Sequence, residues 1–75
     1  MINSAQCRAA RGLLKWTQND LARESEISNV TIRNFESEKT VPQKGTLVVL
    51  EMTFEKAGVE FISENGAGPG VRLKK

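Results

Sequence analysis

The sequence predicts a mainly α fold, with four short helices followed by a short C-terminal β-hairpin, in a single domain over residues 1–75. Three observations support this prediction. Side chains that favour helix N-caps stand at Asn3, Thr17 and Ser28, each before a helical run. Apolar residues recur at helical spacing as far as residue 57, and two short β-type runs follow. A chain of 75 residues has room for one small core.

The first helix begins after Asn3, which has Gln6 three residues later, as in a capping box. Cys7, Ala10 and Leu14 follow at helical spacing, so we predict a helix over residues 4–14. Its basic residues are expected to face solvent: Arg8, Arg11 and Lys15.

The second and third helices form a pair with a tight connection. Thr17 with Asp20 at the third helical position predicts a helix over residues 18–24. Ser28 predicts the start of the next helix, over residues 29–37. A connection of about three or four residues between two capped helices is typical of a helix-turn-helix.

The C-terminal third of the chain predicts one helix and two strands. Apolar residues at helical spacing favour a fourth helix over residues 44–57, and Gly58 suits the position just after its end. Residues 59–62 and 71–73 read as short strands on either side of the glycine-rich stretch 64–70. We interpret that stretch as a hairpin turn, because it contains no lysine and lies in no strand-loop-helix context of the kind that binds phosphate.

Composition excludes several classes of function. Histidine and tyrosine are absent and cysteine occurs once, which excludes a disulfide framework, a Cys/His zinc site and a Ser-His or Cys-His catalytic pair. We therefore expect no metal, no cofactor and no enzymatic activity, and interpret Cys7 as a small core residue. The sequence shows no membrane span and no signal-peptide pattern, so we expect a cytoplasmic protein. A net charge of +2 permits nucleic-acid binding without requiring it.

The third helix has one apolar and one polar face. Four apolar residues converge where the second and third helices cross, namely Leu21, Ile27, Ile32 and Phe35. Ala22 supplies a small side chain at the same place. The outward face then carries groups that suit base edges, namely a guanidinium, amides and small apolar groups. Its residues are Asn29, Val30, Thr31, Arg33 and Asn34.

Residues 17–23 (TQNDLAR), 27–36 (ISNVTIRNFE) and 39–42 (KTVP) resemble the XRE family, the phage-repressor/Cro type of bacterial helix-turn-helix regulators. The ending, residues 57–62 (AGVEFI) and 68–73 (GPGVRL), resembles short members of that family. The resemblance implies a repressor-like DNA-binding domain in a bacterial or phage cytoplasm. It also implies sequence-specific binding of double-stranded DNA by a homodimer on an inverted repeat, with the third helix in the major groove.

The same resemblance implies roles for particular residues. Those expected to face base edges are Ser28, Asn29, Val30 and Arg33, flanked by Thr31 and Asn34. Gln18 opens the second helix where the family meets a phosphate. The other residues expected on the sugar-phosphate chain are Arg11, Lys39, Thr40 and Lys44.

The sequence departs from the family pattern at three positions, and two of these residues, Glu26 and Glu38, lower the expected affinity because they add negative charge near the DNA side. Glu26 replaces the glycine of the turn, Ser25 stands where an apolar residue is usual, and Glu38 replaces a glycine after the third helix. A protein-interaction module of the same fold, such as an antitoxin or an accessory subunit, therefore stays open as an alternative. Arg33 likewise has an alternative to base contact: it could be a solvent-facing residue that pairs with Glu36 or Ser37. For the dimer, the expected contact is the fourth helix with strand 59–62, which otherwise has an unpaired edge.

Overall fold

Four helices and one β-hairpin are present in the computed structural model, which describes residues 1–63 and 66–74. They follow in the predicted order: α1 (Ser4–Leu14), α2 (Gln18–Ser25), α3 (Asn29–Glu36), α4 (Lys44–Lys56), β1 (Val59–Ile62) and β2 (Gly70–Leu73). The predicted fold class is confirmed, and each boundary lies within one residue of the prediction.

The predicted helix starts are confirmed by their hydrogen bonds. Asn3 accepts from the backbone of Gln6, whose side chain accepts in turn from the backbone of Asn3. Thr17 and Asp20 form the same reciprocal pair. Ser28 accepts from the backbone N–H of Thr31. These bonds satisfy N–H groups that a helix start leaves without an intrahelical acceptor.

Four predicted boundaries are off by one residue, and local backbone geometry explains each. α2 continues through Ser25, since the left-handed residue that ends it is Glu26, at φ 60°. α3 stops at Glu36 and α4 at Lys56, because a left-handed residue follows the C-cap of each, Glu38 at φ 64° and Gly58 at φ 104°. β2 begins at Gly70, which pairs with Ile62 across the hairpin.

The core lies between α4 and the other helices, with the hairpin covering one end. Its largest fully buried side chains are Phe54, Leu21, Ile32, Leu50, Val59 and Cys7. Phe54 is the centre of an aromatic row: its ring lies 5.9 Å from that of Trp16 and 6.0 Å from that of Phe61. The row joins the segment before α2 to α4 and β1, so it fixes the helix pair α2–α3 to the rest of the domain.

The hairpin is antiparallel, and a buried glutamine joins it to α1. The Nε2 group of Gln6 donates to the carbonyls of Gly70 (3.1 Å) and Ile62 (3.4 Å), the last pair before the loop. The predicted turn spans residues 64–70, of which Glu64 and Asn65 lie outside the described residues. Gly66 and Gly68 have φ of 96° and 91°, where glycine avoids the strain of a side chain.

Within the described part of the chain, no helix has both the length and the apolar character needed to cross a membrane.

Candidate nucleic-acid interface

The connection between α2 and α3 keeps a tight turn without glycine. Glu26 adopts the left-handed conformation, and its N–H donates to the carbonyl of Ala22 over 2.9 Å. Ser25 is buried, and its Oγ donates to the Leu21 carbonyl (2.7 Å) and accepts from the Ile27 N–H (3.1 Å). The hydroxyl at position 25 is therefore fully bonded, and this departure from the family pattern is accommodated within the turn.

α3 presents the face that the sequence predicts. Ile32 and Phe35 are buried in the core, whereas Val30 is 53% exposed. Ser28 and Arg33 are exposed too, and a second group is half-buried: Asn29, Thr31 and Asn34. The residues predicted to meet base edges thus form one continuous surface over about two helical turns.

Side chains on this face are hydrogen-bonded to one another. The hydroxyl of Ser28 donates to Oγ1 of Thr31 over 2.9 Å. Asn29 bonds to Asn19 of α2, and Arg33 bonds to Asn29. Within residues 1–63 and 66–74, no carboxylate lies within ion-pair distance of Arg33, so the alternative pairing with Glu36 is absent there.

Glu36, the last residue of α3, accepts hydrogen bonds from donors on α1 and α2. Its carboxylate is 2.7 Å from both Nε and Nη2 of Arg11, a bidentate pair. Nε2 of Gln18 donates to it over 3.0 Å, and Sγ of Cys7 over 3.2 Å. The residue is only 4% exposed, so a buried charge here is held by four donors.

This cluster changes the ionisation of its members. Burial raises the pKa of Glu36, but the hydrogen bonds from Arg11, Gln18 and Cys7 outweigh burial, and the pKa lies below its ordinary value. Burial, with the bond to Glu36 adding to it, raises the pKa of the Cys7 thiol far above its ordinary value. Cys7 is therefore an un-ionised core residue, as its sequence context indicates.

The expectation that Arg11 faces solvent is wrong. Its side chain is only 21% exposed, and in addition to Glu36 it donates from Nη1 to the Trp16 carbonyl over 3.0 Å. Arg8 is exposed, but it donates to the backbone carbonyl of Glu36. Both arginines thus join α1 to the C-terminal end of α3.

The remaining predicted phosphate contacts lie after α3 and are exposed. The backbone N–H groups of Lys39 and Thr40 donate to the Asn34 carbonyl over 2.9 and 3.3 Å, which folds this segment back against the end of α3. Glu38 stands between them and the helix at φ 64°, the conformation that glycine adopts in the family pattern. Lys44 is the first residue of α4.

Sequence reasoning missed the roles of two residues, Glu36 buried beneath this surface and Asn19 beside it. A signal was present for Glu36: it lies four residues after Ile32 and so continues the buried stripe of α3, where a carboxylate needs partners. For Asn19 the sequence gives no signal, because its contact depends on how α2 and α3 cross.

No group of His, Cys, Asp or Glu in the described residues could hold a metal ion. The comparison with curated proteins gives no match. A family model described as helix-turn-helix matches residues 8–61, which is well over half of the chain and includes α2, the turn and α3. The chain belongs to the XRE-type helix-turn-helix family of DNA-binding transcriptional regulators.

Proposed function

We propose that this domain binds a specific sequence of double-stranded DNA as a homodimer on an inverted repeat, with α3 in the major groove. The observation that carries the proposal is the exposed face of α3, on which a guanidinium with no carboxylate partner in the described residues stands beside small apolar and hydroxyl groups. Such a face matches the pattern of donors, acceptors and methyl groups along the major groove.

Each exposed group on the face suits a different base feature. The guanidinium of Arg33 can donate to O6 and N7 of guanine, and the methyl groups of Val30 suit the thymine methyl. The hydroxyl of Ser28 can donate or accept. The side chains of Thr31 and Asn34, half-buried at the edges of the face, would lie nearest the sugar-phosphate chain.

Phosphate contacts would come from the ends of the helices. The N-terminus of α2 offers backbone N–H groups to an anion, and Gln18 retains a second amide hydrogen beyond the one given to Glu36. Lys39, Thr40 and Lys44 offer exposed donors after α3. Arg11 would contribute through the part of its side chain that remains accessible beside Glu36.

The proposed homodimer would use the outer face of α4. Val48, Val49 and Met52 are 38%, 39% and 61% exposed, and a shallow groove of about 570 Å³ runs from this face to Trp16. Glu24 and Lys56 both line the groove. A two-fold axis through it would bring opposite charges together, which is why a second copy of this chain is the occupant that we propose.

The dimensions of the domain suit a homodimer on two half-sites. The Cα atoms extend over 31 × 24 × 19 Å, so in a two-fold dimer α3 can lie at half of the required separation, roughly 17 Å, from the axis. Half-sites one turn apart on DNA need a separation of roughly 34 Å. The outer edge of β1, next to α4, would extend the contact by strand pairing, as the sequence analysis predicts.

A protein-interaction module is the second candidate, because Glu26 and Glu38 place negative charge at both ends of α3 and the net charge is only +2. Salt separates the two functions. DNA binding loses affinity steeply as the salt concentration rises, since each neutralised phosphate releases counterions, whereas a protein partner on this surface would show a shallow dependence.

Selection of bound duplexes from a random double-stranded pool tests the proposal, with the unaltered chain and Arg33→Ala run in parallel. The expected result is an inverted repeat in which the preference for one guanine disappears in Arg33→Ala. Arg23→Ala is the matched control, because it removes an equally charged exposed side chain that pairs with Asp20 at 2.9 Å outside this face. An unenriched pool at low salt would refute DNA recognition and favour the protein-interaction module.

A further inference from the structure

Three side chains form a hydrogen-bonded row from α2 to the exposed face of α3. Nδ2 of Asn29 donates to Oδ1 of Asn19 over 2.5 Å, and Nη1 of Arg33 lies 3.4 Å from Oδ1 of Asn29. Asn29 and Arg33 are four residues apart on one helix, so their side chains share a face. Asn19 reaches them across the crossing of the two helices.

The chemistry of the donors fixes the direction of the row. A guanidinium has donors and no acceptor, so the atom of Asn29 that faces Arg33 must be its carbonyl oxygen. The amide nitrogen of Asn29 is then directed to Asn19, which must present its own oxygen. With any other orientation of either amide, one of the two hydrogen bonds would be lost.

The row gives Asn29 and Arg33 different roles on the base-facing surface. An asparagine that recognises adenine uses its oxygen and its nitrogen together. At Asn29 one hydrogen of Nδ2 and one lone pair of Oδ1 are engaged with Asn19 and Arg33, so protein groups and not a base set the orientation of this amide. Among the residues that the structure describes, the Arg33 guanidinium is engaged through Nη1 only, which leaves the edge formed by Nε and Nη2. That edge carries two parallel donors, the arrangement that O6 and N7 of guanine accept.

We infer that Asn19 is a positioning residue for base recognition: through Asn29 it holds the Arg33 guanidinium with its Nε–Nη2 edge free for one guanine. This inference rests on the proposed function, because it concerns how the same surface selects its DNA sequence. It assigns Asn29 to the support of Arg33 and not to the recognition of adenine.

The test compares dissociation constants for the selected duplex and for the same duplex with the guanine assigned to Arg33 replaced by adenine. The ratio of the two constants is the discrimination. Asn19→Ala should lower it by about 2- to 10-fold, the change expected for one lost hydrogen bond. Asn29→Ala should lower the same ratio and should leave every adenine preference in the selected site unchanged. Thermal unfolding by circular dichroism should show that both variants fold.

Asn19→Asp is the matched control, because it keeps an oxygen that accepts from Asn29. Its added negative charge should weaken binding to both duplexes, while the discrimination stays near that of the unaltered chain. A merely structural role for Asn19 would change both constants equally in Asn19→Ala and leave the ratio intact.

The outcomes are separable. If the unaltered chain selects DNA and Asn19→Ala keeps the full discrimination, the positioning role is refuted and the proposed function stands. If Asn29→Ala abolishes an adenine preference, the assignment of Asn29 is refuted. If the unaltered chain selects no DNA, the proposed function fails and this inference fails with it. Only the selection with the unaltered chain can give that result.

Discussion

Replacement of Glu36 by glutamine removes one negative charge from the junction of α1, α2 and α3 while nearly conserving the shape of the side chain. The carboxylate at this position is 4% exposed and accepts two hydrogen bonds from Arg11 at 2.7 Å. Glutamine offers one oxygen and an NH₂ group in place of two oxygens, so at least one donor of the cluster loses its acceptor. The guanidinium of Arg11 then stays mostly buried without a counter-charge.

The expected loss of unfolding free energy is large for a domain of this size. Breaking a buried ion pair by removing one partner destabilises by about 3–5 kcal/mol. We expect about 3 kcal/mol, the lower end, because 21% of the Arg11 side chain is accessible to water. The total stability of a 75-residue domain is roughly 4–11 kcal/mol. The melting temperature should accordingly fall by about 12–24 °C.

Urea unfolding followed by circular dichroism measures the effect, and a double-mutant cycle isolates the ion pair. Arg11→Met removes the charge that Glu36→Gln leaves unpaired, so the double variant should be less unstable than the sum of the two single changes by about 2 kcal/mol. Glu60→Gln is the control, since Glu60 pairs with Arg72 at 3.1 Å on the exposed hairpin and its loss should be nearly neutral. A Glu36→Gln variant as stable as the Glu60→Gln control would refute the role assigned to the cluster.

The same carboxylate predicts an acid dependence of stability. The pKa of Glu36 lies below its ordinary value in the folded chain, because the bonds from Arg11, Gln18 and Cys7 outweigh the effect of burial. Its contribution is therefore complete above the unfolded pKa of about 4.3 and is lost as the pH falls through the folded pKa. Stability measured from pH 7 to pH 3 should fall less in Glu36→Gln than in the unaltered chain. Equal slopes would contradict the assignment.

Three further perturbations test other parts of the fold. Glu26→Gly should raise the unfolding free energy by about 1 kcal/mol, because glycine removes the strain of φ 60°, and a lower melting temperature would contradict this. Phe54→Ala should cost about 3–5 kcal/mol, since this ring is fully buried between Trp16 and Phe61, and should lower the melting temperature by about 12–40 °C. A melt near that of the unaltered chain would count against the aromatic row. Met52→Lys should leave folding intact and shift the molar mass by light scattering from dimer to monomer, whereas an unchanged mass would exclude the outer face of α4 as the contact.

The elements of the fold could be predicted from the sequence because their signals are local. Capping side chains and apolar spacing act within one or two helical turns, so Asn3, Thr17 and Ser28 mark helix starts without any knowledge of the tertiary structure. Three of the four one-residue errors occur at helix ends, where the competing local conformations are close in energy, and the fourth is the start of β2. α2 illustrates this, since the residue that turns left-handed and ends the helix is Glu26 and not Ser25.

The partners of the polar side chains could not be predicted, because they depend on how helices distant in sequence meet. Arg11 and Glu36 are 25 residues apart, and only the packing of α1 against α3 makes them a pair. Spacing within one helix placed Arg11 on an outward position, which is correct for an isolated helix and wrong in the packed domain. The contact of Asn19 with Asn29 has the same origin, at the crossing of α2 and α3.

The Glu36 cluster also bears on the proposed homodimer. The chain carries a net charge of +2, and the buried carboxylate neutralises Arg11, one of the cations that the family resemblance assigns to phosphate. A single domain would therefore neutralise few phosphates, and the sequence-independent part of its affinity for DNA would be small. In the proposed homodimer, two subunits on one repeat would double the phosphate contacts and the bases recognised, so their contributions would add on one DNA molecule. We thus expect binding that depends steeply on protein concentration near the dimer dissociation constant, and Met52→Lys should weaken DNA binding although its side chain is placed on α4, outside the base-facing surface.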